Sequence, residues 1–88
     1  MHKKDRRERF DIIYNILTIL NNENVYKTIL ARKAKLDSRS IDKYVNLLQR
    51  TNLITVDASK GGRHILKITE KGRAFLNIYE ELIRLIRC

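Results

Sequence analysis

Hydrophobic residues recur along this chain at spacings of three and four in four segments and at alternate positions in two others. Spacings of three and four predict amphipathic helices, and alternation predicts strands. We expect a first helix that includes residues 10–20, two shorter helices, a hairpin within residues 53–68 and a long helix over residues 70–88. The pattern thus predicts a mostly α protein with a small β-hairpin, folded as a single domain over residues 1–88.

Residues 36–54 carry the most marked helix signal, with the sequence LDSRSIDKYVNLLQRTNLI. Asp37 and Ser38 can accept hydrogen bonds from the unpaired N–H groups of a helix start. The apolar residues that follow have helical spacing: Ile41, Tyr44, Val45 and Leu48. Asn52 tolerates left-handed backbone angles, so we expect it to end the helix and lead directly into a strand.

The preceding segment, residues 25–36, is predicted as a helix that begins after the turn signal of residues 21–24. Its apolar positions are Tyr26, Ile29, Leu30, Ala34 and Leu36. With the next helix it has the spacing of a helix-turn-helix.

Two β-prone runs flank Gly61-Gly62 and predict a hairpin. Period-two alternation places Ile54 and Val56 opposite Leu66 and Ile68. Ile65 falls out of phase with this alternation. By the same alternation His64 lies on the inward face of its strand, and we expect it to be partly buried.

Thr69 is expected to cap the last helix, residues 70–88. The apolar residues of that helix form two seams with coiled-coil spacing, Phe75, Ile78, Leu82 and Leu85 in one and Leu76, Tyr79, Ile83 and Ile86 in the other. One seam can cover the domain while the other meets a second copy. We therefore expect residues 69–88 to form a dimerisation helix, with an interface of Phe75, Ile78, Tyr79, Leu82, Leu85 and Ile86. The first helix is apolar over more than half of its circumference, which favours a subunit contact there as well.

The net charge of +9 points to a class of partner, because such an excess of positive charge indicates a polyanion. Residues 1–9 contribute +3, residues 27–50 contribute +5 and residues 60–73 contribute +4, whereas residues 74–88 sum to zero. The excess therefore follows the N-terminal arm, the helix-turn-helix and the hairpin, and is absent from the last helix. This distribution favours nucleic acid over a membrane surface.

The chain offers little for catalysis, so we expect no catalytic residue, no metal and no cofactor. His2 and His64 are its histidines, and Gly61-Gly62 lacks the strand-loop-helix context of a phosphate-binding loop. Apolar runs are only two or three residues long, so we expect no transmembrane segment or signal peptide and a cytoplasmic, nucleoid-associated location. Cys88 alone cannot build a disulfide framework.

With these elements placed, the chain resembles the winged helix-turn-helix superfamily, and in particular small archaeal DNA-binding proteins that dimerise through a C-terminal antiparallel coiled coil. Residues 36–54 carry the resemblance together with ITEKGRAFL at 68–76, which is similar to the "LTEKG" junction of that group. Asn52 stands where many relatives have glycine, and the last helix is shorter than the typical coiled coil.

The resemblance implies a recognition helix in the major groove and a basic wing at the minor groove. The implied recognition-helix residues are Ser38, Arg39, Ser40, Lys43, Asn46 and Arg50, and the wing residues are Lys60, Gly61, Gly62 and Arg63. Contacts with phosphates, which add affinity but do not discriminate between sequences, would come from Lys27, Arg32, Lys33 and Lys35. The expected function is sequence-specific binding of double-stranded DNA by a homodimeric transcriptional regulator.

Other functions remain open at this point. A sequence-tolerant architectural protein needs the same electrostatics as a repressor, and a winged helix can also serve as a protein-interaction module. RNA binding has less support, because Tyr26 and Tyr44 are the sole candidates for an aromatic stacking platform.

Overall fold

A computed structural model describes residues 6–58, 61 and 63–87, with side chains from residue 9 onward. These residues form four helices and three strands, which confirms the predicted mostly α fold with a small sheet. The elements are α1 (Arg6–Asn22), β1 (Val25–Tyr26), α2 (Lys27–Ala34), α3 (Ser38–Arg50), β2 (Ile54–Ala58), β3 (His64–Ile68) and α4 (Glu70–Arg87).

The sheet has three strands in the order β1-β3-β2, one more than the hairpin predicted from sequence. Val25 and Tyr26 pair antiparallel with Leu66 and Ile65, so the expectation that they begin a helix is wrong. Both are β-prone residue types, and pairing satisfies the second edge of β3. The predicted hairpin register is confirmed, because Ile54 pairs with Ile68 and Val56 with Leu66.

Ile65, which the alternation left unexplained, lies opposite Tyr26 on one side and Asp57 on the other. It is half-buried. Ile65 is therefore paired on both sides, and the sequence pattern did not reveal the partner strand β1.

The junction from α3 through β2 to α4 is held by local hydrogen bonds. Asn52 is left-handed (φ 67°), as predicted, and the N–H of Leu53 donates to the carbonyl of Leu48 (2.9 Å). Thr69 caps α4 as predicted, because its Oγ1 accepts from the N–H of Gly72 (3.0 Å) and donates to the carbonyl of Asn52 (2.7 Å). The start of α4 is thereby fixed against the end of α3.

The core lies between α1, α3 and the inner face of the sheet. Twelve hydrophobic residues are buried there: Ile13, Ile16, Leu17, Leu20, Val25, Leu30, Ile41, Val45, Leu48, Ile54, Leu66 and Leu76. The predicted stripes of α1 and α3 supply most of this set, and α2 and α4 each supply one residue.

Helix α4 turns one of its two predicted seams toward α1. Leu76 is buried, and the Tyr79 ring lies 5.1 Å from the ring of Tyr14. Two hydrogen bonds reinforce this contact, from the Tyr79 hydroxyl to Asp11 (2.5 Å) and from the Tyr14 hydroxyl to Glu80 (3.1 Å). The hydrogen bond with Glu80, together with burial, raises the pKa of Tyr14 above its ordinary value.

The other seam of α4 faces outward. Three of its four side chains keep large exposed fractions, 69% for Ile78, 50% for Leu82 and 71% for Leu85, whereas Phe75 is half-buried against the core. Ile86, which belongs to the seam that faces α1, is also exposed (74%). Phe10 of α1, 44% exposed, borders the same surface. The described part of the chain thus ends in a helix with one covered and one uncovered apolar side.

Candidate nucleic-acid interface

A short turn and a cap set the direction of α3 relative to α2. Lys35 adopts left-handed angles (φ 60°) and ends α2, and the N–H of Leu36 donates to the carbonyl of Ala31 (2.9 Å). Asp37 then caps α3 by accepting from the N–H of Ser40 (2.8 Å), as its position predicted. Three residues therefore separate the two helices, which is the turn of a helix-turn-helix.

The exposed face of α3 carries seven polar side chains: Ser38, Arg39, Asp42, Lys43, Asn46, Gln49 and Arg50. At about 100° per residue, Arg39, Lys43 and Arg50 lie opposite the buried stripe, with Asp42 and Asn46 beside them. Ser40 is different, because it is half-buried on the flank of the helix. The structure thus exposes five of the six expected recognition-helix residues together and sets Ser40 apart.

The described part of the wing is anchored to the strand before α2. The Arg63 guanidinium lies over the ring of Tyr26, 5.1 Å from its centroid. Gly61 has a positive φ (84°), which its lack of a Cβ permits. Lys60 and Gly62, also expected in the wing, lie outside the described residues, as do residues 1–5 of the basic arm and Cys88.

His64 is exposed, so the expectation that it is partly buried is wrong. It lies on the same face as buried Leu66 but two residues nearer the hairpin tip, opposite Ala58 at the end of the ladder. A side chain on the inward face of a strand is buried only where another element covers that part of the strand. At this end of β3 the side chain of His64 lines an open groove instead.

This groove, with a volume of about 570 Å³, lies between the base of the wing and the first turn of α2. It is lined by Tyr26, Lys27, Thr28, Ile29, Arg63 and His64. Two cations and the positive end of a helix dipole face it, and the first turn of α2 carries no acidic residue. Its chemistry suits a phosphate group.

The four cations expected to contact phosphates lie at the two ends of α2: Lys27 at its start, and Arg32, Lys33 and Lys35 at its end. The Lys27 ammonium lies 2.6 Å from Asp42 of α3 and therefore beside the exposed face of that helix. The Lys33 ammonium lies 3.0 Å from Glu23, in the turn after α1. Arg32 and Lys35 are exposed near the end of α2. Both ion pairs are about half-exposed, and each ammonium has three N–H donors, so a lysine can bind a phosphate while it keeps its carboxylate partner.

The contacts join the wing, α2 and α3 into one surface. Arg63 meets Tyr26, the next residue Lys27 meets Asp42, and Asp42 lies between Arg39 and Asn46 on α3. We call this surface the basic strip; its cations are Arg63, Lys27, Arg39, Lys43 and Arg50. Sequence reasoning found the cations and missed the two contacts that join them, because each contact is between residues distant in sequence.

No three His, Cys, Asp or Glu side chains in residues 9–58, 61 and 63–87 lie close enough together to hold a metal ion. Over the same part of the chain, every helix is too short or too polar to cross a bilayer.

A sequence model of the winged helix-turn-helix family matches residues 6–87. Comparison with curated proteins gives no match. Among solved structures, Sso10a-2, a DNA-binding protein from Sulfolobus solfataricus, superposes with a TM-score of 0.74 at 24% identity, over 85% of this chain and 77% of that protein. The transcriptional regulator BldR from the same organism gives 0.77 at 23% identity, over 86% and 56%. The M. tuberculosis transcriptional regulator MOSR, solved in complex with DNA, gives 0.76 at 20% identity, over 88% and 57%.

The chain therefore spans little more than half the length of the two regulators. At these identities the structural likeness shows a common fold. The family model, however, covers nearly the whole chain, and the observed helix-turn-helix followed by a hairpin has the order that the sequence predicted. This chain belongs to the winged helix-turn-helix family.

Proposed function

We propose that this protein binds double-stranded DNA sequence-specifically, as a homodimer, and acts as a transcriptional regulator. The observation that carries the proposal is the basic strip, in which two contacts link the wing through the start of α2 to the exposed face of α3. A surface rich in cations is the electrostatic footprint of a protein that follows a phosphate backbone. Solved structures with the same fold include MOSR in complex with DNA.

In this proposal α3 enters the major groove and its exposed residues meet the base edges. Arg39 suits guanine O6 and N7, and Asn46 suits adenine N6 and N7. Ser38, Lys43 and Arg50 contact bases or phosphates, while the half-buried Ser40 contributes mainly through its backbone N–H at the cap. These assignments give α3 two side chains able to discriminate bases directly.

The wing and α2 supply the remaining contacts. Arg63 and Gly61 lie along the neighbouring minor groove. Lys60 and Gly62, which are outside the described residues, belong to the same proposed contact. The groove at the start of α2 receives a phosphate between Lys27 and Arg63. The other expected phosphate contacts are Arg32, Lys33 and Lys35, which add affinity without sequence information.

A second copy of this chain is the proposed occupant of the outer seam of α4. Between α1 and α4 lies a mainly apolar groove of about 530 Å³, whose lining includes Phe10, Tyr79, Leu82 and Ile86. Residues 74–88 have no net charge, so two copies do not repel one another there. Antiparallel pairing about Leu82 would place Ile78 opposite Ile86 of the second copy and hide both from water. Phe75 and Tyr79, stacked at 5.8 Å, would border this contact from the side facing α1.

A sequence-tolerant architectural DNA-binding protein is the second candidate. The observation that favours it is the chemistry of α3, because three of its seven exposed polar side chains are Arg or Lys. Such side chains bind phosphates equally well on any sequence. A protein-interaction module is a weaker alternative, since it gives no role to the basic strip.

Selection of bound sequences from a random pool of duplex DNA tests the proposal. We expect a motif with two related half-sites, since a two-fold dimer presents two copies of α3. The observed association constant for the selected duplex should fall with a slope of about −0.9 per neutralised phosphate on a plot of log K against log salt concentration.

Other outcomes would discriminate between the candidates. Tight binding without an enriched motif would contradict sequence-specific binding and favour the architectural DNA-binding protein. A motif with one half-site would contradict the dimer. Failure to bind duplex DNA at low salt would refute the proposal as a whole.

A further inference from the structure

Asp42 stands out on the exposed face of α3 because it is the one acid between Ser38 and Arg50. It follows Arg39 by three residues and precedes Asn46 by four, so all three side chains share one side of the helix. Its side chain is 53% exposed. A carboxylate therefore lies on a surface whose other exposed polar side chains are cationic or neutral.

The position of this carboxylate is fixed by Lys27. The ammonium lies 2.6 Å from Asp42 Oδ1 and belongs to the first residue of α2. A carboxylate offers about four acceptor sites on its two oxygens, and one lysine uses one of them. Asp42 is thus oriented by α2 and still able to accept another hydrogen bond.

Against phosphates alone, such a carboxylate lowers affinity. A negative charge between two strands of phosphates is repelled by both, and a lysine in an ion pair is less available to the backbone. The ion pair itself adds little stability, because both partners are about half-exposed. Neither general affinity nor folding therefore accounts well for an acid at this place.

Recognition of one base does account for it. In the major groove the amino group of cytosine is a donor that Asp or Glu can accept, whereas guanine O6 and N7 would repel a carboxylate. An acid among cations thus both favours one base and disfavours another, which is how specificity arises from a difference of affinities.

We propose that Asp42 is a specificity-determining residue that accepts a hydrogen bond from the N4 amino group of a cytosine in the major groove. Lys27 is its positioning residue, because it orients the carboxylate and offsets part of its charge. This inference rests on the proposed function, since it assigns a base to one position of the same surface.

The experiment compares four proteins by selection from random duplex DNA and by titration of the selected site and its single-base variants. Asp42→Ala removes the acceptor. Asp42→Asn replaces it with an amide, which suits adenine. Glu23→Ala is the matched control, because it also removes one exposed acid paired with a lysine of α2, away from α3. Thermal unfolding of each variant verifies that it is folded.

For the wild type we expect one base pair in each half-site at which cytosine is preferred by about five- to hundredfold. Asp42→Ala should reduce that preference to less than about twofold and bind random duplex more tightly than the wild type does. Asp42→Asn should shift the preference at the same base pair toward adenine. Glu23→Ala should keep the wild-type motif.

Failure of this inference differs from failure of the proposed function. If the wild type selects a motif that both Asp42 variants reproduce at every position, Asp42 reads no base and the inference is overturned while DNA binding stands. Binding without any motif overturns it as well and leaves the architectural candidate. A wild type that binds no duplex DNA overturns both.

Discussion

Arg39, which lies opposite the buried stripe and close to the start of α3, is the residue proposed to read guanine. Arg39→Ala should weaken binding to the selected duplex by roughly 1–3 kcal/mol and relax the preference at one base pair. Titration of the selected site and its single-base variants measures both effects. An equal loss on every sequence would instead assign Arg39 to a phosphate.

The control for Arg39 is Arg84→Ala. It removes the same charge from the polar side of α4, where Arg84 pairs with Glu81. We expect it to leave the base preference unchanged, so any effect shared by both variants reports net charge alone.

Of the two described glycines, Gly72 is the one where packing leaves no room for a side chain. A Cβ at this position would lie 2.4 Å from the carbonyl oxygen of Leu53 and 2.6 Å from Cγ1 of Ile68. Gly72→Ala should therefore destabilise the fold by about 1–3 kcal/mol, although alanine normally favours a helix. Urea unfolding measures the change. Asn77→Ala, at an exposed position of α4, should not destabilise the protein, and equal stability of the two variants would contradict the clash.

At the scale of elements, Thr69 joins the turn between α3 and β2 to the first turn of α4, because its hydroxyl contacts the carbonyls of Asn52 and Leu53 and the N–H of Gly72. Thr69→Ala should lower the free energy of unfolding by about 1–2 kcal/mol through loss of the cap and of a donor to the Asn52 carbonyl. Thr69→Ser keeps the hydroxyl and should recover most of the loss in the same unfolding experiment. If serine behaved like alanine, the methyl group rather than the hydroxyl would be responsible.

At the scale of the whole molecule, the outer seam of α4 is the proposed dimer contact. Leu82→Glu places a charge at the proposed centre of the dimer contact and should give a monomer in sedimentation velocity under conditions where the wild type is a dimer. Its affinity for the selected duplex should fall, because one copy of α3 then reaches one half-site.

Asn77→Glu is the control for the seam, since it adds the same charge to the opposite side of α4. We expect it to remain a dimer. A wild type with the mass of a monomer, or a Leu82→Glu variant with the mass of a dimer, would contradict the proposed seam.

Features that depend on residues close together in the sequence could be predicted without the structure. Periodicity located the helices and the register of the hairpin, and the chemistry of single side chains identified Asp37 as a cap, Asn52 as the left-handed residue and Thr69 as the start of α4. The helix ends depend on hydrogen bonds and spacing within a few residues, and the hairpin register depends on alternation along two neighbouring strands. The cations of the basic strip could also be identified from the sequence, because the charge of a side chain does not depend on its neighbours.

Tertiary structure alone decided the features that depend on distant neighbours. Val25 and Tyr26 become a strand because β3, forty residues away, offers an unpaired edge. His64 stays exposed because no element covers its end of the sheet, and α4 turns Leu76 and Tyr79 inward because α1 lies on that side. The pairing of Lys27 with Asp42, on which the specificity of the basic strip is proposed to depend, exists because the fold sets the first residue of α2 beside the middle of α3.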